Sequence, residues 1–147
     1  MRVFISHSAK DAEAANRIRA ALSDKGFQVW DPERQILPGS NWLTETGRAL
    51  AHSDAVVFLW SGDPYHEPFA RREVQYVISH PKYEDRVFPV RLGHHSGKIP
   101  WIMNQMSVID AKDNDVDRAA DEIASRLKSV KTRKAEVGVK KRLSRRE

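Results

Sequence analysis

Ala55-Val56-Val57-Phe58-Leu59-Trp60 is the most continuous apolar run in the chain. Six apolar residues without polar alternation are typical of a β-strand that is covered on both faces. We therefore predict that this run is the central strand of a parallel sheet. A shorter apolar run, Val3-Phe4-Ile5, predicts a first buried strand for the same reason.

The segments around these two runs alternate between helical and extended patterns. Apolar residues at helical spacing predict four helices, at residues 8–25, 40–53, 69–79 and 116–127. Three further strands are predicted at residues 27–30, 86–92 and 108–109. Ser8 and Ser40 are the predicted capping residues of the first two helices, and Gly26 is the predicted end of the first.

Strands that alternate with helices, through connections too long for hairpins, pair in parallel through right-handed crossovers. The predicted fold class is therefore α/β, a flavodoxin-like doubly wound five-stranded parallel sheet of order 2-1-3-4-5 with helices on both faces. Pro89 lies in the fourth predicted strand and cannot donate to a ladder, so we expect that strand to be marginal or bulged.

The net charge of +5 is distributed unevenly along the 147 residues. Residues 128–147 hold nine Lys or Arg and two Glu, so this tail carries +7 and the rest of the chain −2. We predict one folded domain over residues 1–127 and a basic tail over 128–147, a disordered extension or linker. Contact of the tail with nucleic acid or another acidic surface is the alternative.

Several classes of protein are excluded or disfavoured by what the sequence lacks. It has no cysteine, so disulfides, thiolate metal sites and a cysteine nucleophile are excluded. No apolar run is long enough for a membrane span or a signal peptide, so we expect no membrane contact and a cytoplasmic location. Neither a Gly-x-Gly-x-x-Gly motif nor a phosphate-binding Gly-Lys-Ser/Thr loop occurs, and no metal site is expected.

The predicted carboxyl ends of strands one to three carry polar and aromatic residues. Ser6 and His7 end strand one, Trp30 and Asp31 end strand two, and Ser61 ends strand three. In a sheet of this order, ligands bind beyond the carboxyl ends of the strands, where the order reverses between strands one and three. Hydroxyls, acids and aromatic rings at that edge suit recognition of a ribose or a base.

Glu73 is the candidate catalytic residue. On its predicted helix it lies in line with Phe69 and Val77, four residues before and after it, so its carboxylate shares a largely apolar stripe. No basic residue lies three or four positions away, whereas Glu67 has Arg71 at that spacing. The structural alternative is an ion pair with an arginine on another element.

Four segments, in this order, resemble the signatures of Toll/interleukin-1 receptor (TIR) domains of the bacterial type. They are the first-strand signature at residues 3–11, the second strand at 26–31, the flexible loop Ile36 to Trp42 with its Pro38-Gly39 pair, and the approach to the third strand at 49–57. The resemblance spans roughly residues 2 to 127.

The resemblance implies cleavage of the nicotinamide–ribosyl bond of NAD+, in a defence or signalling role. The essential glutamate of such enzymes lies on the helix after the third strand, a position that Glu73 matches, although Phe69 replaces the tryptophan common four residues earlier. NAD+ would be the substrate, with no further cofactor. The residues assigned to substrate binding are Ser6, His7, Trp30, Asp31, Pro38, Gly39, Trp42, Ser61 and Phe69.

The same resemblance implies self-association, or binding to other TIR domains, through the loop Ile36 to Trp42. Two functions therefore stay open. One is an NAD+ hydrolase or cyclase, which yields nicotinamide and either ADP-ribose or a cyclic isomer. The other is a non-enzymatic interaction or adaptor module.

Overall fold

The computed structural model describes residues 1–31, 39, 41–61, 80–83, 85–93, 108–111 and 115–130. The predicted helix at 69–79, with Phe69 and Glu73, lies outside these residues, as do Pro38 and residues 131–147 of the basic tail.

Five parallel strands form one sheet in the order β2-β1-β3-β4-β5. The strands are β1 (Arg2–Ser6), β2 (Gln28–Trp30), β3 (Ala55–Trp60), β4 (Val87–Leu92) and β5 (Ile109–Ala111). The predicted fold class and strand order are confirmed.

The central strand is β3, and all six of its residues are buried. It pairs with β1 on one side and with β4 on the other, in a register that places Phe58 opposite both Ser6 and Pro89. The prediction that Pro89 would make its strand marginal is wrong, because β4 pairs continuously with β3 from Val87 to Arg91. The outer strand β5 pairs with β4 only from Val90 onwards, one residue after the proline.

Helix α1 (Ala12–Asp24) follows a 3-10 turn at Ala9–Asp11. The predicted cap, Ser8, is therefore wrong, and Asp11 is the residue that precedes the helix. The predicted end at Gly26 is correct: its φ of +93° lies in the left-handed region that a glycine adopts without strain. The Gly26 and Phe27 amides donate to the carbonyls of Ser23 and Leu22, which closes the last turn.

Helix α2 (Trp42–Ala51) has its N-cap one residue later than predicted. Its N-cap is Asn41, whose side-chain oxygen accepts a hydrogen bond from the Thr44 amide at 3.2 Å. The predicted cap at Ser40 is therefore also wrong. A third helix, α3, covers residues 116–130, so the helical residues run three positions beyond the predicted domain boundary.

The helices cover both faces of the sheet. On one face, Ile18 and Leu22 of α1 and Ile123 and Leu127 of α3 pack against alternate strand residues such as Val57. On the other face, Leu50 of α2 packs with Phe4, Val56, Phe58 and Tyr83. In the described part of the chain, no helix is long and apolar enough to cross a membrane.

Candidate functional site

The exit of β1 lies between β2 and β3 and carries three polar side chains in succession. Ser6 is the last residue of the strand, and His7 and Ser8 follow it. All three are buried, with relative exposures of 2%, 1% and 5%. Buried polar groups need hydrogen-bond partners, because an unpaired one loses its bonds to water without replacement. The partners of His7 and Ser8 therefore define this end of the sheet.

His7 joins the exit of β1 to the exit of β2. Its Nε2 atom lies 2.9 Å from both carboxylate oxygens of Asp31, the residue that follows β2. Its Nδ1 atom lies 2.7 Å from the carbonyl oxygen of Ser8. The side chains of His7 and Asp31 are only 1% and 2% exposed. Two predicted site residues are thus brought together, in direct contact with each other.

Asp11 joins the exit of β1 to the exit of β3. One of its carboxylate oxygens accepts hydrogen bonds from the hydroxyls of Ser8, at 3.1 Å, and Ser61, at 3.0 Å. Asp11 is 8% exposed, and its side chain makes no capping bond to α1. Its position directly before α1 still places a carboxylate where the helix dipole favours negative charge. The two networks together fix β1 to both of its neighbours at the point where the strand order reverses.

Trp30 lies on the face of the sheet that α2 covers. It is half-buried, and its ring stacks on Phe4 with centroids 5.3 Å apart and an interplanar angle of 25°. It also lines a groove of about 390 Å³ together with Glu45, Arg48 and His52. Arg2 and Gln28, the first residues of β1 and β2, also line this groove, so it lies toward the amino ends of these strands and away from the exit of β1.

A second cavity, of about 350 Å³, lies on the α1 side of the sheet, at the carboxyl ends of β3 and β4. It is lined by Asp11, Ser61 and Gly93 from three loops and by Lys10 and Arg17 from the region of α1. Ser61 is therefore both a donor to Asp11 and part of a cavity wall.

The remaining predicted residues are only partly described. Gly39 is exposed and lies in a turn with φ +86°. Trp42 is the first residue of α2. Pro38, Phe69 and Glu73 lie outside the described residues, so the assignment of substrate-binding and catalytic roles stays a prediction.

Ser8 and Asp11 lie at the same edge of the sheet as the predicted site, but the sequence analysis does not identify them as site residues. Their spacing, a serine followed by an acid three residues later, predicts a helix cap. The same spacing produces a side-chain bond between them, and only the position of Ser61, directly after the neighbouring strand β3, reveals the larger network. Within the described ranges, no group of three or more histidine or acidic side chains is arranged to hold a metal ion.

Comparison with known proteins agrees with this architecture. A family model described as "TIR domain" matches residues 3–128. The chain is similar in structure to the TIR domain of the Toll-related receptor TRR-2 from Hydra magnipapillata, with a TM-score of 0.65, 22% identity, and coverage of 84% of this chain and 94% of that one. The comparison with curated proteins returned no match.

Two further solved structures are similar. A TIR-STING receptor from C. gigas, in complex with 2',3'-cGAMP, gives a TM-score of 0.69 and 22% identity over 84% of this chain, which spans only 38% of that receptor. A prokaryotic SEFIR domain gives a TM-score of 0.63 and 16% identity, over 85% of this chain and 90% of that one. At these identities the likeness concerns the fold.

Proposed function

The chain belongs to the Toll/interleukin-1 receptor (TIR) domain family, and on that premise we propose that it cleaves the nicotinamide–ribosyl bond of NAD+. The family includes NAD+-cleaving members. The proposed products are nicotinamide and either ADP-ribose or a cyclic isomer, and the proposed role is in defence or signalling. The proposed compartment is the cytoplasm.

One observation supports a site at this edge of the sheet: side-chain hydrogen bonds hold the exit of β1 to the exits of both neighbouring strands. His7 bonds Asp31 on one side, and Ser8 bonds Asp11, and through it Ser61, on the other. Cleavage at a ribose carbon requires groups that are held in place before the substrate arrives, because a preorganised site avoids reorganisation during the reaction. The switch point of a doubly wound sheet is also where such folds bind nucleotides.

The proposed chemistry needs a single carboxylate, that of Glu73. When the bond between the ribose C1′ and the pyridinium nitrogen breaks, its electron pair leaves with nicotinamide, which departs neutral and needs no proton. Glu73 stabilises the positive charge that develops on the ribose, as carboxylates do in glycosidases. Water then attacks C1′ and loses a proton to give ADP-ribose, or a nucleophile of the same molecule attacks to give a cyclic product.

Aromatic side chains complete the proposed site. Phe69, together with Trp30 or Trp42, is proposed to pack against the rings of NAD+. TIR domains commonly bind one another, and we propose that assembly through the loop Ile36 to Trp42 brings neighbouring copies to the site.

The test is turnover of NAD+ by concentrated protein, followed as released nicotinamide by proton NMR. We expect Glu73→Gln to lower kcat by about 100-fold or more, since loss of one group that stabilises transition-state charge has that effect. Glu67→Gln is the matched control, because it removes an equal charge six residues away, and it should retain wild-type turnover. Turnover unchanged in Glu73→Gln would rule out the proposed mechanism.

The second candidate is the non-enzymatic adaptor module, a function that family membership is also consistent with. In that case the wild-type protein releases no nicotinamide at any concentration, and Glu73→Gln leaves binding to a second TIR domain unchanged. Pro38→Ala should then weaken that binding, as measured by light scattering of the concentrated protein.

A further inference from the structure

The hydrogen bonds of His7 specify where its protons are. The Ser8 carbonyl oxygen carries no hydrogen, so His7 Nδ1 must be the donor across their 2.7 Å contact. On the other side of the ring, Nε2 lies 2.9 Å from both oxygens of Asp31. If Nε2 carried no proton and Asp31 were ionised, a nitrogen lone pair would face a carboxylate oxygen, which is unfavourable.

Two arrangements avoid that cost, and both leave the pair neutral. Either His7 carries protons on both nitrogens beside an ionised Asp31, or a protonated Asp31 donates to Nε2. The equal distances favour the first arrangement, because one ring N–H that points between two equivalent oxygens explains both contacts, whereas a carboxylic acid donates from one oxygen only.

We propose that His7 and Asp31 act as a neutral ion pair, with His7 protonated on both ring nitrogens, that positions the ends of β1 and β2 in the binding site without touching the substrate. The claim that neither residue touches the substrate rests on the proposed function. Both side chains are almost completely buried, and the Asp31 oxygens face the histidine. They are therefore positioning residues, and the contacts with NAD+ fall to other groups at this edge.

The shortness of β2 explains why Asp31 needs a positioning contact. Asp31 is the residue that follows β2, and β2 is three residues long and at the edge of the sheet. Its backbone pairing with β1 ends at Trp30, opposite Phe4. The bond to His7 therefore holds the chain beyond the last ladder position, where the sheet itself no longer does so.

The proton positions are measured by 15N NMR of the full chain labelled at histidine. His7 is assigned as the signal that disappears in His7→Gln, and the exposed His52 gives an internal comparison. We expect both ring nitrogens of His7 to carry a proton above as well as below about pH 6.5, where a free imidazole loses its second proton. A His7 ring with an unprotonated nitrogen at neutral pH would overturn the proposal.

Asp31→Asn is the matched variant. Its amide group is the same size as the carboxylate and can donate to Nε2, so His7 can stay bonded as a neutral ring with its proton on Nδ1. We expect the Nε2 proton signal to vanish in Asp31→Asn while the melting temperature stays above that of Asp31→Ala. Equal melting temperatures of the two variants would contradict a role for the hydrogen-bonded pair.

Turnover of NAD+ by the Asp31 variants distinguishes a positioning role of the pair from direct contact with the substrate. If the pair positions the site, Asp31→Asn should recover most of the kcat/KM that Asp31→Ala loses. If an Asp31 oxygen bonds the substrate as a charged acceptor, both variants should lose about tenfold or more. Should the wild-type protein release no nicotinamide, the proposed function fails, yet the NMR and melting experiments still decide whether the pair exists as described.

Discussion

At the scale of single residues, Asp11 holds the exits of β1 and β3 together through two hydroxyl donors. Both Ser8 and Ser61 donate to the same carboxylate oxygen, and Asp11 is largely buried. Hydrogen bonds to a charged acceptor contribute about 1.5–3 kcal/mol each, roughly twice the value for neutral pairs. Each of the two serines therefore contributes its own hydrogen bond to the contact between the exits of β1 and β3.

We expect Ser61→Ala to lower the free energy of unfolding by about 1–2 kcal/mol, because Asp11 keeps only its bond from Ser8. Ser23→Ala, an exposed serine on α1, is the control and should change stability by a few tenths of a kcal/mol at most. Urea denaturation followed by circular dichroism measures both. Equal effects of the two substitutions would mean that the bond across β1 and β3 carries no stability.

The positions of these residues could be predicted from the sequence, but their pairing could not. Runs such as Val3-Phe4-Ile5 show where a strand ends, and this places His7, Asp31 and Ser61 at one edge. Which side chains meet there depends on the register between strands that are distant in sequence: His7 and Asp31 are 24 residues apart. Periodicity carries no information about such contacts.

At the scale of elements, the ends of helices are the least predictable feature. The sequence offers two adjacent capping residues, Ser40 and Asn41, and only the backbone direction decides that the Asn41 side chain faces the Thr44 amide. At α1, Ser8 has a capping hydroxyl but donates it to Asp11. Gly26 could be predicted because only a residue that tolerates positive φ suits the position after such a helix.

Substitution by alanine is expected to change the stability of the protein in opposite directions at Gly26 and Gly47. Gly26→Ala should destabilise the protein by about 1 kcal/mol, because its φ of +93° strains any side chain even though space is free around it. Gly47→Ala, inside α2, should stabilise it by about 0.5–1 kcal/mol, since nothing lies within 4 Å of the added methyl. Thermal unfolding compares the two, and a shift in the same direction for both would contradict this account.

At the scale of the whole molecule, alternation of apolar strands and amphipathic helices was enough to predict the sheet order. What it could not predict is the extent of the last helix. Val130 is buried, with 8% of its surface exposed, although the boundary predicted from charge lies at residue 127. The charge run begins while the helix still packs on the sheet, because Lys128 and Ser129 lie on its exposed side.

We expect Val130→Ala to lower the free energy of unfolding by about 1–2 kcal/mol, the value for two buried methyl groups. Ser129→Ala, its exposed neighbour, should change stability very little. Chemical denaturation of the full chain measures both. If the two substitutions have the same small effect, the folded domain ends at residue 127 as the charge pattern predicts.

The shortness of β2 has a consequence for a protein that is proposed to work at high local concentration. An edge strand offers unpaired amide and carbonyl groups to any extended chain that approaches it, and long edges promote fusion of sheets from different molecules. Because β2 has only three residues, Gln28–Trp30, a foreign strand finds few backbone partners there. Copies of this domain can therefore crowd together without this edge acting as a template for amyloid-like growth.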